Sequence, residues 1–534
     1  MSVINEFHVF GEKNVMVPVH LNFGKYVLDR LRRMENKVAL VNGTTGEELT
    51  IRQLLQYSVN LATSLTQLGI GKGDVIAVGS DKRITFLPNV LGVLLTGATC
   101  TPYYLDNGKA PFQHKLSVAK PTHVICSKLF WERYEEILNS CGSIKSYFAL
   151  DGYPQNAITV QSLVAKDIDI ERFEPARGVG QVDTALILYS SGTTGLAKGV
   201  CLTHLNCIMS SLPDNYKDEW NIQTGFVYGD WFHNYDIFMT YRLLLSGKKV
   251  VYVNDVTILN MLKCIEKYQV NITMILPYML NLINKEETLE KFDLDSLKII
   301  YSRSAPLHKN TIEQVKKRLP KLQNILQGYG MTECGEPTSE IWADEGPRPG
   351  SIGKATPGII IKIVDLKTNL TLGPNQTGEI RLSGPMFMKE YIEINSSTYL
   401  DDEDFFKTGD VGYYDDDKYF YIVDRIKDII ICKGKKIAPI QLENLLQTHQ
   451  NVLEAAVIGK PDPVSGEIPM AFVVMKPGSN ITEQELVDYV AAEVREHMQL
   501  AGGVRFIDEL PRSPRGKVLR RQLREMINEF ITFI

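Results

Sequence analysis

The sequence predicts an α/β protein with a large N-terminal domain of α/β layers, a β subdomain within it, and a small mobile α+β C-terminal domain. Short apolar runs rich in β-branched residues alternate with helical stretches between positions 37 and 285. This alternation favours layered α/β architecture with largely parallel sheets. With 534 residues, 44% of them hydrophobic, the chain is too long for one compact unit and can bury a large core.

Five strand-then-helix pairs carry this prediction. The strands, in chain order, are "KVALV", "DVIAVGS", "THVICSK", "KKVVYVND" and "ITMIL". The helices that follow them are "IRQLLQYSVNLATSLTQLG", "FLPNVLGVLLTGATCTPYY", "FWERYEEILNS", "ILNMLKCIEKYQ" and "YMLNLINK". The second helical window, from Phe86 to Tyr104, is the most apolar. Its Pro and Gly residues leave an apolar run too short to span a bilayer, so we expect a buried core helix.

The pattern changes after about Gly346, where strand and turn sequences such as "GSIGKATPGIIIKIVD" and "GEIRLSG" predict the β subdomain. A densely charged stretch, "DRIKDIIICKGKKIAP", follows, and beyond it strands and helices form a unit of ordinary domain size. We therefore predict an N-terminal domain over residues 1–424, with its β subdomain from about residue 346, and a C-terminal lid domain over 425–534.

Composition and charge indicate which classes of binding partner to expect. The net charge of -5 does not provide the basic surface that nucleic-acid binding needs, so we expect no nucleic-acid partner. We also expect no stable membrane insertion. The first residues carry charges and no sustained apolar run, and the final residues do not read Ser-Lys-Leu, so the sequence predicts a cytoplasmic location.

One loop, "SSGTTGLAKG", follows the apolar strand "ALILY" directly. Consecutive Gly, Ser and Thr residues expose backbone N–H groups and hydroxyls, and a lysine adds a point charge, which suits a phosphate group. The spacing differs from G-x-x-x-x-G-K-[ST], so we expect a triphosphate to bind unlike in P-loop enzymes. The predicted ligands are Ser190, Ser191, Gly192, Thr193, Thr194, Gly195 and Lys198.

This loop resembles the phosphate-loop signature of the adenylate-forming superfamily, and later motifs follow in the family's order. They are "QGYGMTE" (327–333), "TGD" (408–410), "VDRIKD" (423–428) and "PRSPRGKVLRRQL" (511–523). The match covers nearly the whole chain and looks closest to insect luciferases, luciferase-like acyl-CoA synthetases and 4-coumarate:CoA ligases.

The resemblance implies that a small-molecule carboxylic acid attacks the α-phosphorus of ATP, releasing pyrophosphate and leaving an acyl-adenylate, with Mg²⁺ as cofactor. Coenzyme A then takes the acyl group as a thioester. One alternative is an insect luciferase that oxidises a luciferin adenylate with O2 and emits light. A second alternative is a nucleotide-binding relative without turnover.

The resemblance also implies residue roles for the reacting groups. Lys517 would bridge the attacking carboxylate and the α-phosphate, and the Thr332 hydroxyl would contact that phosphate. Glu333 would hold Mg²⁺ on the phosphates. His233 would gate the acyl substrate and the thiol tunnel, although a histidine beside aromatic residues is also typical of a packed core.

Further roles concern the nucleotide and the second half-reaction. Gln327, Gly328, Tyr329 and Gly330 would surround adenine, with the Tyr329 ring stacking on it unless that ring is simply packed in the core. Asp410 and Arg425 would hold the ribose hydroxyls, although the charges of "DRIKD" also fit an exposed linker. Lys427 would be the pivot of the lid domain, and Gly434 would lie against the pantetheine arm of coenzyme A.

Three positions depart from the family pattern. Ile431 stands where relatives commonly have a lysine, which weakens the beetle-luciferase interpretation, and Lys436 stands where they often have glutamine. Arg303 stands beside the adenine and acyl pocket where relatives have a small residue. Arginine there either pairs with an anionic or phenolic group of the substrate or turns outward to solvent.

Overall fold

The computed structural model describes residues 6–11, 15–106, 108–154, 157–191, 196–212, 220–304, 307, 309–342, 346–513 and 516–531. Within these ranges the chain forms mixed helices and sheets, which confirms the predicted α/β class. Two largely parallel sheets lie in the N-terminal region, an antiparallel sheet follows, and a small separate sheet lies near the C-terminus.

The first sheet carries the predicted phosphate loop. Its strand order is β21 (Glu390–Tyr391), β10 (Ala197–Thr203), β9 (Thr184–Ser191), β5 (Thr99–Tyr104), β4 (Val75–Ser80), β6 (His123–Cys126), β7 (Ser146–Ala149) and β8 (Ile158–Thr159). The strands from β9 to β8 pair in parallel, whereas β10 pairs with β9 and β21 in antiparallel fashion. A parallel sheet buried on both faces explains the continuous apolar strands.

The second sheet carries the "QGYGMTE" motif. Its strand order is β17 (Lys354–Ala355), β16 (Gly335–Ser339), β15 (Asn324–Met331), β14 (Ile299–Ser302), β13 (Ile272–Ile275), β11 (Thr224–Phe226), β12 (Lys249–Tyr252), β2 (Val38–Asn42) and β3 (Glu48–Thr50). The strands from β15 to β2 are parallel.

The remaining sheets are those of the β subdomain and the C-terminal unit. In the first, β1 (Val9–Phe10), β18 (Ile360–Val364), β20 (Gly378–Ser383), β22 (Phe406–Tyr414) and β23 (Phe420–Arg425) lie in that order, and β19 (Thr371–Leu372) pairs with β18. In the second, β25 (Lys435–Ile437), β24 (Ile430–Cys432), β27 (Gly466–Met475) and β26 (Val452–Asp462) lie in order, and β28 (Val504–Phe506) pairs with β27.

Helices cover the sheets. They are α1 (Phe23–Arg32), α2 (Ile51–Gln67), α3 (Phe86–Leu95), α4 (Lys109–Ala119), α5 (Lys128–Ser140), α6 (Val160–Val164), α7 (His204–Ser210), α8 (Asn234–Leu245), α9 (Ile258–Tyr268), α10 (Pro277–Lys285), α11 (Lys309–Arg318), α12 (Pro439–Thr448), α13 (Glu483–Glu493) and α14 (Arg520–Ile531). Capping boxes fix the starts of α2, α7 and α13, where a threonine side chain accepts a backbone N–H of the first turn.

The apolar window from Phe86 to Tyr104 is shorter as a helix than the sequence predicts. The helix α3 is buried throughout, as expected, but it ends at Leu95 and the chain continues as strand β5. Gly97, with φ of 80°, provides the turn between them. In the described part of the chain, no helix combines the length and the apolarity that a membrane span requires.

Candidate active site

The predicted phosphate loop joins two antiparallel strands as a hairpin. Ser190 and Ser191 end β9, and Lys198 lies in β10 directly across from Ser190. The predicted ligands Gly192, Thr193, Thr194 and Gly195 lie outside the described residues. The Lys198 ammonium lies 4.8 Å from the ring centre of Tyr391. The lysine of the loop is therefore positioned beside an aromatic residue that the sequence did not single out.

Tyr391 connects this hairpin to Glu333. Its hydroxyl donates to Glu333 Oε1 at 2.6 Å, and burial, followed by the charge of Glu333, raises the pKa of the phenol well above its usual range. Glu333 is only 6% exposed, and its backbone carbonyl accepts the N–H of Met388 at 2.7 Å. The segment around β21 therefore holds the carboxylate of Glu333 through Tyr391 and its backbone through Met388.

Thr332 and Glu333 lie in the turn between β15 and β16, next to the start of α8. Asn234 Nδ2 donates to the Thr332 carbonyl at 2.9 Å. His233 is the N-cap of α8, since its Nδ1 accepts the backbone N–H of Tyr235 at 3.3 Å. His233 is partly buried, whereas every residue of α8 after it is buried. The predicted gating histidine and the threonine are thus brought together.

Gln327 is buried, and its contacts are to protein groups. Its side-chain amide donates to the Ser351 carbonyl at 3.2 Å, and its backbone N–H donates to Glu340 Oε2 at 2.7 Å. Burial raises the pKa of Glu340 to about 8. These bonds hold the segment between Gln327 and Ser351 in place below the turn that carries Thr332.

Gly328 and Gly330 leave room for the side chains of neighbouring residues. A Cβ atom on Gly328 would lie 2.4 Å from the Tyr301 hydroxyl, and one on Gly330 would lie 2.3 Å from Arg303 Nη2. The sequence predicts that these glycines allow a ligand to approach the strand. The structure gives them a second reason, because Tyr301 and Arg303 already use the space that side chains at these positions would need.

Asp410 is the centre of a second fixed group. Tyr329 donates its hydroxyl to Asp410 Oδ2 at 2.5 Å, and Arg425 Nε lies 3.0 Å from Asp410 Oδ1. Asp410 is 3% exposed, and it pairs with Arg425 across β22 and β23. The Asp410 charge raises the pKa of Arg425, while burial and then Asp410 raise the pKa of Tyr329. The Arg425 side chain is nearly half exposed yet ion-paired, so it is not a free linker residue.

The turn that carries Lys517 rests on the N-terminal domain. A Cβ atom on Gly516, whose φ is 72°, would lie 2.4 Å from the ring of Tyr278 in α10. Arg512 donates to the Gly516 carbonyl at 2.6 Å and to Glu454 at 2.9 Å, and Glu454 also accepts from Asn281 of α10 at 3.4 Å. The C-terminal unit is thereby seated against α10.

Lys517 is exposed in this turn, directly after the buried Gly516. Desolvation by the surrounding protein lowers the pKa of its ammonium, and the positive charge of Arg425 acts in the same direction. The carboxylates of Asp410 and Glu333 act in the opposite direction.

The predicted hinge lies between two fixed carboxylates. Asp424 accepts the backbone N–H of Ile440 at 3.3 Å, and Asp428 lies 3.3 Å from Arg524. Lys427 is exposed between them in a short 3-10 turn. By contrast, Gly434 lies in the β24–β25 hairpin facing solvent, with φ of 74°, and a Cβ atom on it would meet no other atom within 4 Å. The structure thus does not bring Gly434 into the Lys517 site.

Arg303 turns inward, so the solvent-facing alternative is wrong. Its side chain is buried and lies 3.7 Å from Glu336, which also forms a close ion pair with Arg242. The sequence carried a signal for Arg303, since it replaces a small residue. It carried none for Arg242, Glu336 or Tyr391, whose partners are distant along the chain.

Within the described residues, no three His, Cys, Asp or Glu side chains are close enough together to form a metal site of their own. Glu333 is a single buried carboxylate. A cation here would therefore need oxygen ligands from a bound phosphate, which is the usual manner for Mg²⁺.

The sequence and the fold of the chain are both similar to those of known proteins. The chain is 33% identical over 518 residues to luciferin 4-monooxygenase of Photuris pensylvanica, covering 94% of each chain. It is 34% identical over 531 residues to 4-coumarate–CoA ligase 3 of Arabidopsis thaliana, covering 96% of this chain and 92% of that one. The structure of ATP-bound MatB from Rhodopseudomonas palustris superposes with a TM-score of 0.84 at 25% identity, covering 96% and 100%.

Family models give the same result for both parts of the chain. Residues 28–392 match the model described as AMP-binding enzyme, and residues 441–517 match the model of its C-terminal domain. The first match alone spans more than half of the chain. The chain therefore belongs to the AMP-binding enzyme family.

Proposed function

We propose that the protein activates a small carboxylic acid with ATP, releases pyrophosphate, and transfers the acyl group from acyl-AMP to coenzyme A. The observation that carries this proposal is the pair of buried carboxylates, Asp410 and Glu333, each held by a tyrosine hydroxyl. A lysine brought to carboxylates that would bind the ribose and the metal supplies the positive charge that the joining of two anions requires.

The first half-reaction brings a carboxylate oxygen of the acid to the α-phosphorus, and the bond from that phosphorus to the pyrophosphate oxygen breaks. Lys517 neutralises charge on the attacking carboxylate and the α-phosphate. The Thr332 hydroxyl contacts the α-phosphate, and Ser190, Ser191 and Lys198 bind the outgoing phosphates. Preorganised charge of this kind is the main contribution that a protein makes to phosphoryl-group chemistry.

Asp410 and Tyr329 serve the nucleoside. The Asp410 carboxylate receives the ribose hydroxyls, and its ion pair with Arg425 orients it. The Tyr329 ring offers a flat face to adenine while its hydroxyl remains on Asp410. The carboxylate is buried and already oriented in the ligand-free protein, so little reorganisation accompanies nucleotide binding.

Glu333 suits a magnesium ion bound together with the phosphates. Its buried carboxylate has one oxygen on the Tyr391 hydroxyl, which leaves the other to face the phosphates. Mg²⁺ bound there would neutralise phosphate charge. Tyr391 fixes the carboxylate orientation and so acts as a positioning residue.

Thioester formation uses a second position of the C-terminal unit. The exposed turn at Lys427 lies between the domains, and rotation about it would remove Lys517 and bring the exposed hairpin around Gly434 to the adenylate. The coenzyme A thiolate then attacks the acyl carbonyl, and AMP leaves. We assign His233, at the start of α8, to gating the entry of the thiol.

Pyrophosphate exchange tests the first half-reaction directly. We expect acid-dependent incorporation of labelled pyrophosphate into ATP, followed by acid-dependent consumption of coenzyme A. Absence of exchange across a broad panel of acids, together with absence of ATP binding, would favour the relative without turnover.

Light emission is the second candidate function. The similarity to the luciferin 4-monooxygenase of Photuris pensylvanica favours it, and it would use the same adenylation site followed by O2. Ile431, which is 52% exposed in β24, stands against it where a lysine would be expected. Photon counting with luciferin, ATP and O2 distinguishes the two candidates.

A further inference from the structure

A buried charged cluster lies beside the "GYG" strand. We call it the Arg303 cluster, and it consists of Arg242, Arg303, Glu336, Tyr235 and Tyr301. The Arg303 guanidinium lies 4.4 Å from the ring centre of Tyr235 and 5.9 Å from that of Tyr301. Each member is at most 9% exposed. The cluster brings together α8, the end of β14, and β16.

The Arg303 cluster fills the face of the strand that Gly328 and Gly330 leave open. The Tyr301 hydroxyl and Glu336 Oε1 would lie 2.4 and 2.6 Å from a Cβ on Gly328. Arg303 Nη2 would lie 2.3 Å from a Cβ on Gly330. Space that a small residue at position 303 would leave empty is therefore occupied by a guanidinium.

The cluster also lies close along the chain to residues of the proposed reaction centre. Tyr235 follows His233 by two residues, and Gly330 precedes Thr332 by two residues. His233 and Thr332 are the residues that the proposed function assigns to the acyl group and the α-phosphate. An acid that extends from this point along the strand meets Arg303.

The chemistry of the cluster opposes a long alkyl chain. Arg242 is anchored to the Ser210 carbonyl at 2.7 Å and pairs closely with Glu336, so that carboxylate is already compensated. A further carboxylate, Asp236, lies in the first turn of α8. An alkyl chain packed against these buried ionised groups would make none of the polar contacts that they require.

A polar group at the distal end of the acid would bind beside the Arg303 cluster better than an alkyl group. The Tyr235 hydroxyl is buried and has no hydrogen-bond partner among the residues that the structure describes. Leaving a buried hydroxyl unpaired costs free energy, which a hydrogen bond from a ligand recovers. An oxygen at the distal end of the acid would meet this hydroxyl and the positive charge of Arg303.

We propose that Arg303 closes the acid pocket, so that the enzyme activates short acids carrying an oxygen or a second carboxylate at their distal end. This inference rests on the proposed function, since it places the acid between Thr332 and Arg303. It assigns the selectivity to bulk and charge at one position. These two contributions are separable by substitution.

The experiment compares pyrophosphate exchange with succinate, pentanoate and decanoate in three proteins. The wild type should use succinate at least about tenfold better than pentanoate, and decanoate least. Arg303→Gly removes bulk and charge, so decanoate exchange should rise at least about tenfold. Arg303→Met keeps most of the bulk, so decanoate should stay excluded while the preference for succinate over pentanoate falls.

Tyr235→Phe provides an independent test that leaves Arg303 in place. It should lower the ratio of exchange with succinate to exchange with pentanoate relative to the wild type. Unchanged affinity for ATP in all variants shows that they fold. A change in the ratio of exchange rates between two acids is then caused by the acid-binding pocket.

Several outcomes would overturn the inference. They are a wild type that prefers decanoate, or variants at position 303 whose ratios between acids equal those of the wild type. Exchange with no acid at all would instead overturn the proposed function and the inference with it. Exchange confined to long acids would overturn the inference alone.

Discussion

The nucleotide side and the lysine side of the candidate site are built in different ways. On the nucleotide side, the buried Asp410 is fixed by Tyr329 and Arg425, and the buried Glu333 is fixed by Tyr391. On the other side, Lys517 is itself exposed, in a turn whose buried Gly516 touches α10. Under the proposed function, the folded domain would therefore fix the groups for nucleotide and metal, and the C-terminal unit would deliver the reacting cation.

The largest effect should come from the mobile side. Lys517→Ala removes the cation between the two anions, so adenylation should fall by roughly 10²-fold or more, the scale of a lost transition-state charge contact. Conversion of a supplied acyl-adenylate to thioester should continue, since Lys517 leaves for that step. Pyrophosphate exchange and coenzyme A consumption measure the two steps separately. Lys460→Ala, on β26, is the control, and equal loss of both steps would contradict the two-position comparison.

The next effect tests the seat of that unit. Gly516→Ala places a Cβ atom against the Tyr278 ring, so the turn must shift, and adenylation should fall at least about tenfold through misplacement of Lys517. Gly503→Ala is the matched control, because Gly503 also has a positive φ of 88° but open space around its Cβ position. Rescue of Gly516→Ala by Tyr278→Ala would sharpen the assignment. Equal loss in the Gly503 variant would mean that backbone strain alone causes the effect.

A smaller effect is expected on the fixed side. Tyr329→Phe removes the hydroxyl that orients Asp410, so the KM for ATP should rise by about fivefold, as for a weakened hydrogen bond to a charged group. Steady-state kinetics with saturating acid gives the value. Tyr413→Phe, in β22 with Asp410 and stacked on Tyr421, is the control. A loss confined to kcat would mean that Tyr329 acts on the reacting groups, which would contradict its assignment to the nucleotide side.

The last prediction concerns the free energy of unfolding, on which the effect is small near neutral pH and grows in acid. Burial lowers the pKa of His204 to about 4, and its Nδ1 accepts the Phe23 N–H at 3.1 Å. Below pH 6.5 the unfolded chain binds a proton that the folded chain excludes, so stability falls as the pH drops towards 4. At pH 5 this penalty is about 2 kcal/mol.

His204→Asn keeps a hydrogen-bond acceptor and removes the titration. Relative to pH 7.5, the difference in unfolding free energy between wild type and variant should change by about 2 kcal/mol at pH 5, in favour of the variant. Urea denaturation at the two pH values measures it. His449 and His497 of the C-terminal unit are not buried, so the effect should be confined to the N-terminal domain. If the difference in unfolding free energy between wild type and variant is the same at both pH values, the prediction is wrong.

The sequence predicted the layered fold because the periodicity of apolar residues is local. It also singled out Thr332, Asp410 and Lys517, since the motifs that carry them are contiguous. Thr332 lies in a turn and Asp410 in strand β22. It could not find Tyr391, because that residue reaches Glu333 only after pairing with β10, nor Glu336, whose partners lie on α8 and after β14. It misjudged the helix after Phe86 because apolar residues continue past Gly97 into a buried strand.

The short strand β21 has a consequence for the order of events. Tyr391 pairs with Val200 on the hairpin that carries the loop lysine, and its hydroxyl bonds Glu333. Displacement of this hairpin by an incoming triphosphate would therefore be transmitted through a single phenol to the metal-binding carboxylate. Nucleotide and cation would then be expected to enter as one species, with neither reaching full affinity in the other's absence.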